Sequence, residues 1–481
     1  MVALLREPAR PAVIRDHPLA PWFAVGAVCL GAFMGQLDAS IVTVAFPALQ
    51  RQFGAGLASV QWVSLAYLLV LTALLVPAGR WSDRIGRKLM YLYGFVIFAA
   101  SSAACGLAPS LAALVVLRVV QAAGAALLQA NSVALVVTSV PAQARRAALG
   151  VQAAAQAVGL AAGPVIGGLL VAAAGWRWVF FLNVPVGLVA VVAGSCLLPR
   201  TRGPAGQLLS GCSPAGRPGT DPGGAVLLAA TATAGMLAIS ALSGLGAPAW
   251  TAAACAAVAA LTGAALLRHE RRVAAPLLDL RTMAASGTGS ALLGALCAYL
   301  VLFGPLVLFP QVVAARGGSA ESAGLLLSAL PCGFGLAAAV TDRLLPAGWP
   351  NRRRCLLGGA VTAGCAAALA VPAPDAVSVV LLGLLGIGLG IYTPANNAEI
   401  MAAVPAKDAA TAGGMVNMTR GIGTALGVAV VALGLHAGGL LRSAGSGRTL
   451  AMAAIAAVAL LAVALSAAGP RAGRGSAGGA R

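Results

Sequence analysis

Apolar residues run along this chain in long, nearly unbroken stretches, parted by short clusters of charge, Gly and Pro. Neither the 2-residue period of a half-buried strand nor the narrow stripe of a soluble helix organises them. Each stretch matches the roughly 20 apolar residues that a helix needs to cross a hydrocarbon core of about 30 Å. Such runs predict helices near 21–47, 58–79, 89–107, 111–137, 147–173 and 179–198, then 224–243 and 249–267. Six more follow near 288–312, 320–345, 355–371, 376–401, 410–437 and 449–468. The expected fold is an all-α polytopic membrane protein with fourteen transmembrane helices. The segment 199–223, rich in Gly, Pro and Ser, reads as a flexible linker, and the Gly- and Arg-rich tail from Gly469 as disordered.

The basic residues orient this array. With a cytoplasmic N-terminus, 24 of the 31 Lys and Arg fall on the cytoplasmic side, five fall outside, and Arg118 and Arg420 lie within spans. One helix more or fewer would scramble this positive-inside bias from that point onward. The formal charge of +19 is therefore a topology signal, not the footprint of a nucleic-acid partner. Composition agrees, since 60% of the 481 residues are hydrophobic and only 9% are charged, too few to cover a soluble surface. The first 20 residues lack the apolar core and cleavage site of a signal peptide. Most of the nine cysteines sit singly in apolar stretches, the three histidines do not cluster, and no phosphate loop or nucleophile motif occurs. The expectation is a non-enzyme without metal or cofactor.

An internal repeat divides the array. A shift of 264 residues lays Val140-Pro141-Ala142 on Val404-Pro405-Ala406, and Gly150, Gly159 and Gly163 on Gly414, Gly423 and Gly427. Both segments are a cytoplasmic loop entering a helix in the same direction, so the repeat is parallel. Two six-helix halves with two helices between them account for the offset, an architecture of major facilitator type with its substrate site between the halves. The expected divisions are 1–199, 200–283 with linker and extra helices, 284–468, and the tail 469–481.

Specific residues then resemble the fourteen-helix drug:proton antiporter family of the major facilitator superfamily, over nearly the whole chain. Leu37-Asp38-Ala39-Ser40-Ile41-Val42-Thr43-Val44-Ala45-Phe46-Pro47 is similar to its first-helix signature. Gly79, Asp83, Arg84, Gly86, Arg87 and Lys88 match the loop between helices 2 and 3. Arg118, Gln121 and Gly124 match helix 4, with Ala122 where the family usually has Gly. Gly159, Gly163, Pro164, Gly167 and Gly168 match the helix-5 motif of antiporters, and Trp176 to Pro185 the entry to helix 6. The resemblance implies a conformational latch between the halves at the loop motif. Its later counterpart, Asp342-Arg343 with Arg352 to Arg354, is degenerate.

Depth gives Asp38 its meaning. It lies nine residues before Pro47, about 13 Å below the outer end of its helix, where a carboxylate costs several kcal/mol unless paired or protonated. Arg118 descends to about 12 Å on its own helix, a similar level. Asp38 and Arg118 are the candidate proton-coupling pair, and Glu399 near the inner end of helix 12 is a second candidate acid. Gln36, Gln121, Asn131, Gln152, Gln156, Asn396, Asn417 and Arg420 are candidate cavity residues. The expected function is proton-driven export of small, largely apolar drugs or antibiotics from a cell membrane, both termini cytoplasmic, with protons, substrate and lipid as partners. A metabolite symporter and a non-transporting receptor or scaffold are the alternatives. The cavity charges favour neutral or weakly charged cargo over divalent cations.

Overall fold

The computed structural model describes residues 7, 10–201, 222–242, 248–273, 288–346, 348–403, 409–440 and 446–468. Residues 202–221 of the expected 199–223 linker, and the tail from Gly469, lie outside them. Helices α1 (Ala20–Phe53), α2 (Trp62–Ile85), α3 (Arg87–Gly106), α4 (Leu111–Ser139), α5 (Arg145–Ala174) and α6 (Asn183–Leu197) form the first half. Next come α7 (Pro222–Leu242) and α8 (Ala249–Glu270). The second half comprises α9 (Thr288–Ala315), α10 (Ala320–Leu344), α11 (Asn351–Ala370), α12 (Asp375–Ala403), α13 (Ala409–Leu440) and α14 (Ser446–Ala468). Every stretch expected to span is helical, as lipid demands, since only helices and closed barrels satisfy their backbone polar groups there. Twelve helices among the described residues are long and apolar enough to cross a membrane. The two exceptions are α7, whose apolar part Val226–Leu242 is short, and α11, which opens on Arg352, Arg353 and Arg354.

The repeat is visible as packing. Helices α3, α4 and α5 begin 264 residues before α11, α12 and α13. A Cβ on Gly94 would lie 3.0 Å from the Gly124 carbonyl, and one on Gly358 would lie 2.5 Å from the Gly388 carbonyl. The glycine seam of α5 meets α1 through Gly159 at the Phe33 carbonyl and Gly163 at Ser40 and Ile41. That of α13 meets α9 through Gly423 at the Leu296 carbonyl and Gly427 at Leu300. Small residues let these backbones touch, the usual basis of helix association where lipid supplies no hydrophobic drive. The pair α7–α8 stands outside the two halves, with α7 against α2 and α13. There Gln61 Nε2 donates to Ser240 Oγ at 3.0 Å.

In the loop motif, a sharp turn and a buried base stand out among the described residues. Gly86 has φ +121°, which favours glycine, and this sharp link lets α3 start directly after α2. Gly79 meets only the Ala130 Cβ, at an ordinary 3.9 Å, so it permits no close helix approach. Arg87 is half-buried, and the side chains of Asp83, Arg84, Asp342 and Arg343 lie outside the described set. Lys88 is fully buried within the first half, and its Nζ donates to the carbonyls of Ser195 (2.8 Å) and Leu198 (2.7 Å). In this conformation it caps α6. A buried ammonium needs acceptors, and the free carbonyls at a helix C-terminus supply them.

The residue 264 positions on is Arg352, whose guanidinium donates to the Ser466 carbonyl at 3.1 Å and to that of Ala467, at the end of α14. Each half thus ties the start of its third helix to the end of its sixth with one base. Replacing Lys88 by Met should cost about 1.5–3 kcal/mol, the worth of hydrogen bonds to a charged donor. Thermal unfolding of purified protein checks this, with Lys88→Arg retaining part of the loss; a Met variant that melts with the wild type would show the cap to be idle.

Candidate functional site

Asp38 is completely buried, as is Arg118. Arg118 Nη1 donates to Asp38 Oδ2 at 2.7 Å, and the other carboxylate oxygen accepts from Gln121 Nε2 (3.1 Å) and Asn183 Nδ2 (2.9 Å). Helices α1, α4 and α6 therefore converge on one carboxylate. A second layer holds the cage. Arg118 also donates through Nε to the Val63 carbonyl (2.9 Å) and through Nη1 to Gln121 Oε1 (2.7 Å). Both amides donate to Ser102 Oγ at 3.0 Å, and Ser102 donates to the Phe180 carbonyl at 3.1 Å. Among the described residues Arg118 Nη2 and Asn183 Oδ1 have no partner. The Arg118 guanidinium lies 4.0 Å from the centroid of the Tyr67 ring.

Tyr67 joins this cage to a cavity between the halves, whose wall it forms together with Gln36, Gln156, Asn417 and Arg420. Asp38 and Arg118 lie behind that wall. Water centres have about 80 Å³ of room in it, enough for several waters at ~10–15 Å³ each. The cavity runs from mid-depth toward the end bearing Gly86 and Ser139, along Leu75, Gln129 and Ser132. At the opposite end α5 and α10 meet backbone to backbone, since a Cβ on Gly168 would lie 2.6 Å from the Ala320 carbonyl. Gly324 packs as tightly on the Pro164 carbonyl. The helix-5 motif is thus pinched between α1, through Gly159, Gly163 and Gly167, and the other half, through Pro164 and Gly168.

Four candidate cavity residues sit elsewhere. Gln121 belongs to the cage. Asn131 donates to Ser82 Oγ and the Leu127 carbonyl, both at 2.7 Å. Gln152 donates to Ser132 Oγ, one layer behind the wall. Asn396 donates to the Ala291 carbonyl at 2.8 Å. These amides bond between or along helices because a buried amide takes the nearest acceptor. Glu399 is likewise off the cavity, near Arg352 at the end of the second half. Sequence reasoning missed Tyr67, Ser102 and Asn183 as site residues. Asn183 stood inside the quoted helix-6 entry, so its motif was visible although its role was not.

The repeat supplies an internal comparison. The residues 264 positions after Ser102, Arg118, Gln121 and Asn183 are Ala366, Leu382, Leu385 and Gly447. In the seam between first and fifth helices the offset is 263, which sets Val301 opposite Asp38. Val301, Ala366, Leu382 and Leu385 are all buried. The equivalent positions of the second half are thus filled by apolar side chains.

The sequence matches the Major Facilitator Superfamily over residues 28–428. It is 32% identical over 420 residues to the methylenomycin A resistance protein of Streptomyces coelicolor, a match covering 86% of this chain and 85% of the relative. It is 31% identical over 415 residues to the multidrug resistance protein Stp of Mycobacterium tuberculosis, covering 84% and 74%. With the tetracenomycin C resistance and export protein of Streptomyces glaucescens it shares 44% identity over 182 residues, 38% of this chain and 34% of that one. Among solved structures, a bacterial homologue of the human lysosomal transporter Spinster, inward-facing and unoccupied, superposes with a TM-score of 0.65 at 16% identity, covering 94% and 97%. The human organic anion transporter MFSD10 superposes with 0.63 at 15%, covering 94% and 100%. Two parallel six-helix halves around a central cavity and a match across most of the sequence lead to one conclusion: this chain belongs to the Major Facilitator Superfamily, a family of membrane transporters and not of enzymes.

Proposed function

We propose that the chain exports small, largely apolar drugs or antibiotics across the cell membrane in exchange for protons, with both termini cytoplasmic and no cofactor beyond the proton gradient. The observation that carries this reading is the Asp38 cage, a fully buried carboxylate one side chain away from the cavity, at a position its own repeat fills with valine. The resistance and efflux relatives support the direction and the cargo class. On the positive-inside orientation the tight α5–α10 contact lies at the outer end, and the cavity leans toward the cytoplasm.

The chemistry follows from the donors. Ionised Asp38 accepts from Arg118, Gln121 and Asn183. A protonated Asp38 gives up most of its attraction for Arg118, and its new O–H needs an acceptor. Either amide provides one by turning its oxygen inward, because Asn and Gln donate and accept on opposite ends of one group. Arg118, freed, presses on Tyr67, whose ring also faces the cargo. Proton and substrate thus compete through a shared wall, and opposite occupants favour opposite states of the alternating-access cycle. Each inward proton brings about 2.3 kcal/mol per 100 mV of membrane potential.

Expression in an efflux-deficient host should lower cellular accumulation of a growth-inhibiting substrate, and a protonophore should restore it. Energy-dependent uptake that raises internal substrate would replace this reading with symport.

A further inference from the structure

The cavity carries one cation and, among its described lining residues, no carboxylate. Arg420 on α13 has its guanidinium 4.5 Å from the centroid of the Tyr299 ring, and its Nη1 reaches Asn417 Oδ1 at 3.4 Å. Asp38 is turned into its own cage behind Tyr67, and Glu399 stands beyond the wall. The repeat sharpens the point, because in the first half the positions of Tyr299 and Arg420 are held by the neutral Gln36 and Gln156, which line the same cavity. A guanidinium half-withdrawn from water and stacked on an aromatic face keeps most of its donors free for a planar anion. Around it stand Tyr67, Tyr299 and Phe303 with the aliphatic Leu68 and Leu71, a wall suited to a flat apolar body.

Building on the exporter reading, we propose that the cargo is an aromatic or otherwise flat apolar molecule bearing a single anionic group, a carboxylate or phenolate, which pairs with Arg420. Tyr299 fixes the plane of the guanidinium, and Asn417 holds one of its nitrogens. Outward movement of such an anion runs with a cell-negative membrane potential, so both legs of exchange with an inward proton are driven by it.

The test uses full-length protein in lipid nanodiscs and equilibrium dialysis at neutral pH with three fluorescent probes. These are anthracene-9-carboxylate, anthracene-9-carboxamide and the cation 9-(aminomethyl)anthracene. The carboxylate should bind about tenfold or more tightly than the other two, the scale of one charge-assisted hydrogen bond. Arg420→Gln, which installs the residue of the equivalent first-half position, should bring the carboxylate down to the carboxamide, and Arg420→Lys should keep part of the preference. Equal binding of the three, absent carboxylate binding, or a preference that survives Arg420→Gln overturns the proposal. The two readings fail separately. Extrusion of growth inhibitors by cells without carboxylate preference removes the anion site and leaves the exporter. Selective carboxylate binding without extrusion of any compound leaves the site and removes the exporter.

Discussion

Asp38→Asn should reduce proton-driven extrusion to the level of empty vesicles while leaving substrate binding measurable. The substitution keeps the shape of the side chain and removes its titration, so no proton can be carried at this position. Its amide oxygen still accepts one bond, but Arg118 then lies fully buried without a counter-charge. Breaking a buried pair from one side typically costs about 3–5 kcal/mol, so a lower melting temperature is expected too. The decisive comparison is between net uphill transport under an imposed pH gradient and substrate exchange across vesicles at uniform pH. Exchange needs binding and alternation but no net proton movement, and it should persist. Undiminished uphill transport by the Asn variant would place coupling elsewhere, with Glu399 next to be replaced.

The sequence revealed depth far better than direction. Apolar length locates helices in lipid, and counting from their ends set Asp38 and Arg118 at one level, where they meet. Which face a polar residue presents depends on how helices lean on one another, and no run length encodes that. Gln152 and Gln156 are one turn apart on α5, yet the first bonds Ser132 behind the wall and the second faces the cavity. Lys88 was hidden differently. Positive-inside anchoring accounts for a base at that place, and only the carbonyls at the end of α6 show that it is buried as a cap. The helix-5 glycines were legible as a pattern, whereas Gly324, which receives Pro164 from the other half, carried no signal in its own surroundings. Tyr67 likewise reads as one more aromatic inside an apolar span until Arg118 is found beneath it.

A triple variant separates the cage's chemical role from a structural one. Asp38→Val with Arg118→Leu and Gln121→Leu gives the first half the residues that the second half already carries at Val301, Leu382 and Leu385. Asn183 and Ser102 still bond each other, and Ser102 keeps its acceptor on Phe180, so no new charge is orphaned. Exchanging a whole buried ion pair for well-packed apolar residues is commonly neutral or stabilising by about 1–4 kcal/mol, in contrast to removing one partner. The triple variant should therefore melt at or above the wild type, and above Asp38→Asn, while its uphill transport is as dead as that of the single variant. The ordering is what tests the argument. If the cage served packing, the triple variant would be the least stable of the three, because it loses the most hydrogen bonds. If coupling resided in Glu399 or Arg420, a well-folded triple variant would still concentrate substrate against its gradient. Thermal melts and vesicle transport on the same three preparations distinguish these outcomes, and only a stable, uncoupled triple variant fits a carboxylate that is retained for the proton it carries.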